Sequence, residues 1–201
     1  MNSNIKFRRF SAYLIDYLFI FLLITMISQI RVLNPTYNEY IDSYGRYTEI
    51  YEDLTVDNVL EIAESDEYKE VNYDLSRYSV SISIISLVVY FAYFVGFQKW
   101  NKNQTLGKKM FNIEVASDDG KDVSWFQMLI REIIIYNLLL EILSIISIFV
   151  FDYQGYWVAS NILTFIAGLI SWVSVFFILF RKDGKGIHDL LAKTRVVGKE
   201  Q

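Results

Sequence analysis

The stretch Arg9-Phe-Ser-Ala-Tyr-Leu-Ile-Asp16-Tyr17 opens an apolar segment that continues to about Ile30. Its length is typical of a membrane-spanning helix, which needs ~20 residues to cross the hydrocarbon layer. Seven residues at ~1.5 Å rise place Asp16 about 10 Å along the helix from Arg9, on nearly the same face. A carboxylate at that depth costs about 2.5–3.5 kcal/mol on insertion scales. Asp16 therefore needs a partner or a polar pocket, which makes it a candidate functional residue.

Three more apolar blocks of similar length follow, and hydrophobic residues make up 53% of the 201-residue chain. A soluble bundle of buried helices is the alternative, but soluble helices usually keep one polar face. The block Val80–Phe97 carries no charge at all. We therefore predict an all-α membrane protein that forms one domain over residues 1–201. Its four transmembrane helices are expected at about 10–30, 79–97, 126–151 and 157–180.

The charges divide the connecting segments into two classes. Basic residues concentrate before the first span, in an elbow at 98–125 and in an elbow at 181–201, whereas the loop 31–78 has twelve acidic and four basic residues, a net charge of −8. The positive-inside rule then predicts that both termini and both elbows are cytoplasmic and that the loop 31–78 lies outside. The basic elbows also suit anionic lipid headgroups, at about 1 kcal/mol per residue near the surface. The start is not typical of a signal peptide, because Asp16 interrupts the apolar run.

The long outer loop is predicted to be helical. Pro35 is followed by a possible capping box at Thr36–Glu39 and by five tyrosines at alternating three- and four-residue spacing, and a second helix is predicted at Thr55–Glu64. A solvated ectodomain with tyrosines at headgroup level is the simpler interpretation. A cation-attracting vestibule or a docking surface is the alternative.

The first elbow contains signals for a small cytoplasmic β-hairpin. Asn112–Val115 and Lys121–Ser124 are predicted to pair across a Ser117–Gly120 turn. Ser124–Gln127 then resembles a capping box that begins the third span. In a regular helix, Glu141 would lie about 15 Å deeper than Arg131, as a second intramembrane acid.

Composition excludes several kinds of chemistry. The chain has no cysteine and one histidine, His188. Thiolate and His-rich metal sites are thereby excluded, and we expect no metal and no cofactor. Thr105-x-Gly-Lys108 lacks the upstream glycine of a phosphate-binding loop, and no nucleophile–base pair is found, so no enzymatic activity is expected. The basic residues are explained by topology, and nothing else favours nucleic-acid binding.

The two halves of the chain also resemble each other in sequence. Gln104-Thr-Leu-Gly107 precedes Val115 as Gly186-Ile-His-Asp189 precedes Val197, and each motif follows an apolar span and basic residues. Each half would be a pair of spans with an elbow, related by an axis along the membrane normal. This alignment places Gly107 opposite Asp189.

The motifs together resemble the RDD family of small bacterial membrane proteins, which is named for one arginine and two aspartates. Its Arg-x-x-Ala-x-x-Ile-Asp motif corresponds to Arg9 through Asp16, its Thr-x-Gly-Lys motif to Thr105 through Lys108, and its His-Asp-x-x-Ala-x-Thr-x-Val motif to the stretch from His188; Arg131 matches an arginine that opens a span. The resemblance implies a multi-pass protein of the bacterial plasma membrane. Some members look like cation/proton antiporters, and others like partners or regulators of membrane enzymes.

Two pairings of the charged residues are open. Arg9 could reach Asp16 on its own helix, across about 10 Å. Alternatively, Asp16 meets Arg131 or Lys108 from another segment while Arg9 meets Asp189 at the cytoplasmic surface. We favour the second, because Arg9 lies at the interface and can snorkel. The expected charge network comprises Arg9, Asp16, Lys108, Arg131, Glu141 and Asp189.

Two functions are compatible with this network. The first is a binding or regulatory subunit of a membrane partner, in which the charges form permanent ion pairs that fix the packing. The second is a cation/proton antiporter or small-solute transporter, in which Asp16 exchanges a proton for a cation. A transporter of four helices would need to form a homo-oligomer in order to enclose a pathway.

Overall fold

The computed structural model describes residues 3–199, and most of them are helical. The helices are α1 (Ser3–Ser28), α2 (Tyr37–Glu52), α3 (Val59–Glu64), α4 (Asp66–Tyr78), α5 (Val80–Tyr90), α6 (Gln98–Trp100), α7 (Leu106–Met110), α8 (Trp125–Ile135), α9 (Leu138–Val150), α10 (Tyr153–Phe180) and α11 (Ile187–Leu191). A π-helical segment, Phe91–Phe97, joins α5 to α6, and the two strands are β1 (Ile113–Ser117) and β2 (Thr194–Gly198).

The apolar helices confirm a membrane-type protein. Ile5–Ser28, Val80–Trp100 and Tyr153–Phe180 are each long and apolar enough to cross a bilayer, and α8 with α9 makes a fourth span if this bent pair counts as one. The side chains of α10 are mostly exposed; Trp172, for example, has 76% of its surface exposed. Lipid is the environment that suits such a surface, because large apolar patches are unfavourable in water.

The third apolar block is a broken helix, so the depth of Glu141 that holds for a regular helix does not apply. The axes of α8 and α9 differ by 63°. Asn137, between them, adopts a left-handed conformation at φ 51°, which asparagine tolerates better than most residues. Its side-chain amide donates to the Ser171 hydroxyl at 3.1 Å. Glu141 consequently lies exposed in the first turn of α9 rather than deeper along a straight extension of α8.

The sheet pairs two strands that are far apart in sequence, so the predicted hairpin is wrong. β1 pairs with β2 in antiparallel fashion, with Val115 opposite Val196. Lys121–Ser124 forms no strand, and its Val123 packs in the apolar cluster around Val115. Ser124 does form the predicted capping box at the start of α8. The strand partner for β1 comes from the carboxyl-terminal segment, whose side chains alternate between buried and exposed.

The two elbows have the same backbone plan. α7 and α11 each have five residues, β1 and β2 each have five, and both pairs are offset by 81 positions (106 to 187 and 113 to 194). Asn112 and Lys193, also 81 apart, both have left-handed backbones, with φ of 49° and 52°. This offset corrects the sequence alignment by one residue, because Lys108, not Gly107, is the equivalent of Asp189.

The chain divides into two compact units. The elbow unit comprises the described parts of Met1–Ile24, Leu87–Leu139 and Ile166–Gln201. The sheet and both elbows belong to it. Its core includes two small apolar clusters, one around Ala12, Ile113 and Val196 and one around Val95, Val115, Val123 and Met128.

The outer-loop unit comprises Thr25–Ser86 and Leu140–Phe165. In it α2 packs against α4, a helix that the sequence analysis did not predict. Tyr47 stacks on Tyr68 at 6.2 Å between ring centroids, and Tyr68 meets the edge of Trp157 at 5.5 Å. The predicted capping box is absent: the Thr36 side chain makes no capping hydrogen bond, and its hydroxyl donates to the Tyr78 carbonyl at 2.7 Å. The second predicted helix is shorter and begins at Val59.

Candidate functional site: a buried charge cluster beneath the elbows

The Asp16 carboxylate lies at the amino-terminal end of α7 and is only 2% exposed. Its Oδ1 accepts from the Tyr93 hydroxyl at 2.7 Å and from the Gly107 N–H at 2.8 Å, and its Oδ2 accepts from the Thr105 hydroxyl at 2.5 Å. All three donors are neutral. Hydrogen bonds to a charged group contribute about 1.5–3 kcal/mol each, so they offset much of the cost of burial. The carboxylate fastens the first elbow to α1.

Small residues allow α7 to approach α1 closely enough for these bonds. A Cβ on Gly107 would lie 3.0 Å from the Asp16 carboxyl carbon and still closer to the Ala12 carbonyl oxygen. Ala12 itself is 1% exposed. The two small residues therefore bring a backbone N–H within reach of the buried carboxylate.

The Asp189 carboxylate is fully buried and joins three segments of the chain. Its Oδ2 accepts from Arg9 Nη2 at 2.8 Å and from the Gly186 N–H at 3.0 Å, and its Oδ1 accepts from Arg131 Nη1. Burial alone would raise the pKa of Asp189. The guanidinium groups of Arg131 and Arg9 outweigh that effect and hold the pKa well below its ordinary value.

His188 completes this side of the cluster as a neutral ring. Its Nδ1 lies 2.9 Å from the Ser174 hydroxyl, and its Nε2 lies 3.3 Å from Arg9 Nη2. Burial lowers the pKa of His188 to about 4, helped by the nearby positive charge of Arg131. His188 Nε2 also lies 3.3 Å from Asp189 Oδ2, so the ring contacts both members of the Arg9–Asp189 pair.

A second chain of polar groups connects α7 to α8. The Lys108 amine donates to Gln98 Oε1, and Gln98 Nε2 donates to Glu132 Oε1 at 3.0 Å. Glu132 is fully buried; its Oε1 lies 3.3 Å from Arg131 Nε, and its Oε2 has no hydrogen-bond partner among the described residues. Burial lowers the pKa of Lys108 to about 8, against the attraction of Glu132, so the amine remains mainly protonated at pH 7.

The cluster therefore holds three basic and three acidic side chains. When all are ionised its net charge is zero, which is how a protein interior accommodates several charges at once. The charged members are Arg9, Asp16, Lys108, Arg131, Glu132 and Asp189.

The structure corrects the sequence-based assignment in part. The favoured Arg9–Asp189 pair is present. Arg131 binds Asp189 rather than Asp16, and Lys108 makes no ion pair with Asp16 in the described chain. Glu141 is exposed and makes no ion pair with another residue that the structure describes. The third acidic residue of the cluster is Glu132, next to Arg131 in sequence, which was not part of the expected charge network.

Two uncharged members, Tyr93 and Gln98, were not predicted. Both lie on the second span, Tyr93 in its π-helical segment and Gln98 at the start of α6. A π-helical turn within an α-helix is frequent at functional sites. Across residues 3–199, no three His, Cys, Asp or Glu side chains converge as a metal site would require.

Comparison with known proteins supports the interpretation of these motifs. The model of the RDD family matches residues 6–193. The chain belongs to the RDD family. Searches of curated proteins and of solved structures find no significant match. In this RDD protein, the signature residues Arg9, Asp16 and Asp189 hold both elbows against α1.

The close approach at Gly107 yields a first prediction. Gly107→Ala should destabilise this RDD protein by about 1–3 kcal/mol, because the new methyl group has no space beside Ala12. The control is Gly168→Ala in α10, where nothing lies within 4 Å of the added Cβ. Thermal unfolding in detergent should show a lower midpoint for Gly107→Ala and an unchanged or higher one for the control. Equal midpoints would contradict the close packing of α7 on α1.

The neutral ring of His188 yields a second prediction. Its pKa is about 4 in the folded protein and 6.5 as the ordinary value, so the unfolded chain binds more protons between these pH values. The stability associated with His188 is complete above pH 6.5 and falls as the pH approaches 4, by about 2 kcal/mol at pH 5. His188→Asn should show a smaller loss of unfolding midpoint between pH 7.5 and pH 5. An identical pH profile in both proteins would show that the ring is not held neutral.

Proposed function

We propose that this RDD protein is a binding or regulatory subunit of a membrane partner, located in the bacterial plasma membrane with both termini in the cytoplasm. The proposal assigns the chain no catalytic step. The observation that supports it is the pairing within the charge cluster. Asp16 accepts from three neutral donors, and Asp189 is held by two guanidinium groups and a backbone N–H.

A paired cluster of this kind favours a structural role for the signature residues. An exchanging carboxylate must release its ligands in each cycle, and Asp16 would have to lose bonds to both the second span and the first elbow. Removing one partner of a buried ion pair costs about 3–5 kcal/mol, so breaking the Asp189 pairs is also expensive. On this proposal, the signature residues build a fixed platform from the two elbows.

The surface of the platform offers groups that a partner or a lipid headgroup layer can contact. Met110 and Leu191 occupy equivalent positions at the ends of α7 and α11 and are 66% and 61% exposed. Trp100 is also exposed, at 80%. Exposed aromatic and methionine side chains are enriched at protein interfaces, and tryptophan is enriched at membrane surfaces.

A co-purification experiment tests the binding role. Native membranes are crosslinked, and the tagged chain is purified in mild detergent. We expect one stoichiometric membrane partner, retained when residues 36–74 are deleted and lost in Asp189→Asn, which leaves Arg9 and Arg131 without their shared carboxylate. Loss only in the deletion variant would move the contact to the outer loop. The absence of any stoichiometric partner would contradict the proposal.

A second candidate function is cation/proton exchange, and one observation favours it. Glu132 Oε2 is buried without a hydrogen-bond partner among the described residues, next to a break in the third apolar block. Broken helices often border ion sites in transporters. If the protein exchanges ions, this geometry points to Glu132 as the exchanging group rather than Asp16.

A flux assay separates the two functions. The protein is reconstituted in liposomes, and a pH-sensitive dye is followed during sodium or potassium pulses. The binding proposal predicts no cation-dependent proton flux from correctly inserted wild type. Under the exchange alternative, flux should be abolished in Glu132→Gln. A flux lost in folded Asp16→Asn but kept in Glu132→Gln would restore Asp16 as the exchanging group.

A further inference from the structure

The two strands of the sheet differ at their outer edges. Two backbone hydrogen bonds show which residues are bonded to each other across the sheet. Lys199 N–H donates to Asn112 O at 2.9 Å, and Asp118 N–H donates to Lys193 O at 3.0 Å. In antiparallel pairing such residues alternate with residues whose backbone groups point away from the neighbouring strand. On β2 the outward-pointing residues are therefore Thr194, Val196 and Gly198.

The corresponding edge of β1 is covered by the chain itself. Val115 N–H donates to Asn103 O at 3.2 Å, and Gln104 Nε2 donates to Ile113 O at 2.8 Å. The segment before α7 thus meets a donor and an acceptor of the β1 edge.

The equivalent segment before α11 does not cover β2. Gly184 lies 81 positions after Asn103, and its carbonyl oxygen accepts a hydrogen bond from Arg9 Nη1 at 2.8 Å. Lys185, the equivalent of Gln104, directs its amine to Asp118 at 2.6 Å. In the described chain, the outward backbone groups of Val196 and Gly198 have no hydrogen-bond partner.

A groove lies along this open edge. Its volume is about 450 Å³, and it is lined by Ile5, Asp183, Lys185, Arg195 and Val196–Gly198. Lys185 pairs with Asp118, and Asp183 pairs with Arg181. Arg195 is exposed and makes no ion pair with any residue that the structure describes.

We infer that the outer edge of β2 is a docking site for an extended segment of a partner protein. The segment adds as a third strand and places an acidic side chain against Arg195. The inference rests on the proposed binding function and specifies where on the platform the partner lies. A sheet edge alternates donors and acceptors, a pattern that a peptide backbone matches. A lipid phosphate offers only acceptors and leaves the Val196 and Gly198 carbonyls unsatisfied.

The test uses the full chain in nanodiscs and a fluorescent peptide, Ac-Val-Glu-Val-Glu-Val-Glu-amide, as the probe. Gly198→Pro removes an outward N–H, and proline is tolerated at a sheet edge where the N–H faces away from the sheet. Gly198→Ala is the matched control, because its Cβ would meet only Arg8 Nη1, at 3.7 Å. We expect peptide affinity to fall at least tenfold in the proline variant and less than twofold in the alanine variant.

Two further arms identify the recognition. A peptide N-methylated at alternate amides should bind at least tenfold more weakly if main-chain bonds carry the affinity. Arg195→Glu should weaken the glutamate peptide and favour a Val-Lys peptide, a reversal that a merely misfolded variant cannot give. Circular dichroism confirms that each variant retains its fold.

Three results would overturn the inference. The first is equal binding of the N-methylated peptide. The second is competition by phosphatidylglycerol nanodiscs that abolishes peptide binding, which would assign the groove to lipid. The third is self-association of the wild type that Gly198→Pro abolishes, which would assign the edge to a second copy. Each leaves the co-purification result standing, so failure here and failure of the proposed function are distinguishable.

Discussion

The buried carboxylate of Asp189 is the contact on which the elbow unit depends. It joins Arg9 of α1, Arg131 of α8 and the backbone at Gly186, so one side chain fixes the second elbow to two apolar segments. One carboxylate cannot neutralise two guanidinium groups. Glu132, 3.3 Å from Arg131 Nε, supplies the second negative charge. Because a buried charge is tolerated only when it is compensated, the position of Glu132 follows from the arrangement around Asp189.

Both elbows are attached to α1 through a buried carboxylate, but the carboxylate belongs to α1 in one case and to the elbow in the other. The amino-terminal end of α7 receives its carboxylate from Asp16 on α1, whereas α11 carries its own, Asp189, and α1 supplies the cation Arg9. Lys108 occupies in α7 the position that Asp189 occupies in α11. The backbone therefore keeps a twofold plan, centred on the Val115–Val196 pair, while the charges obey no such symmetry. Both elbows contact α1, the first at Asp16 and the second at Arg9, which lie about two helical turns apart. These two contacts explain why the first motif contains both an arginine and an aspartate.

The parts that could be predicted from sequence are those in which charge or hydropathy sets the outcome. An interfacial arginine and an elbow aspartate each need a partner, and they meet. The partners of Asp16 gave no such signal, because Tyr93, Thr105 and the Gly107 N–H are neutral donors that occur throughout the chain. The pairing of β1 with β2 joins residues about 80 positions apart. The weak internal repeat is its only signal in the sequence. The break at Asn137 involves neither glycine nor proline, the usual sequence signals of a helix break. The sequence therefore did not indicate that the third apolar block is bent.

Arg9, which pairs with Asp189, also explains why the outer edge of β2 is open. In the first elbow, the carbonyl of Asn103 accepts from Val115 and covers β1. In the second elbow, Arg9 takes the equivalent carbonyl, that of Gly184, while its other nitrogen binds Asp189. The segment that could have covered β2 is thereby held on α1, and the groove beside Arg195 remains open. The fixing of the second elbow on α1 and the exposure of the outer edge of β2 are then two consequences of one side chain.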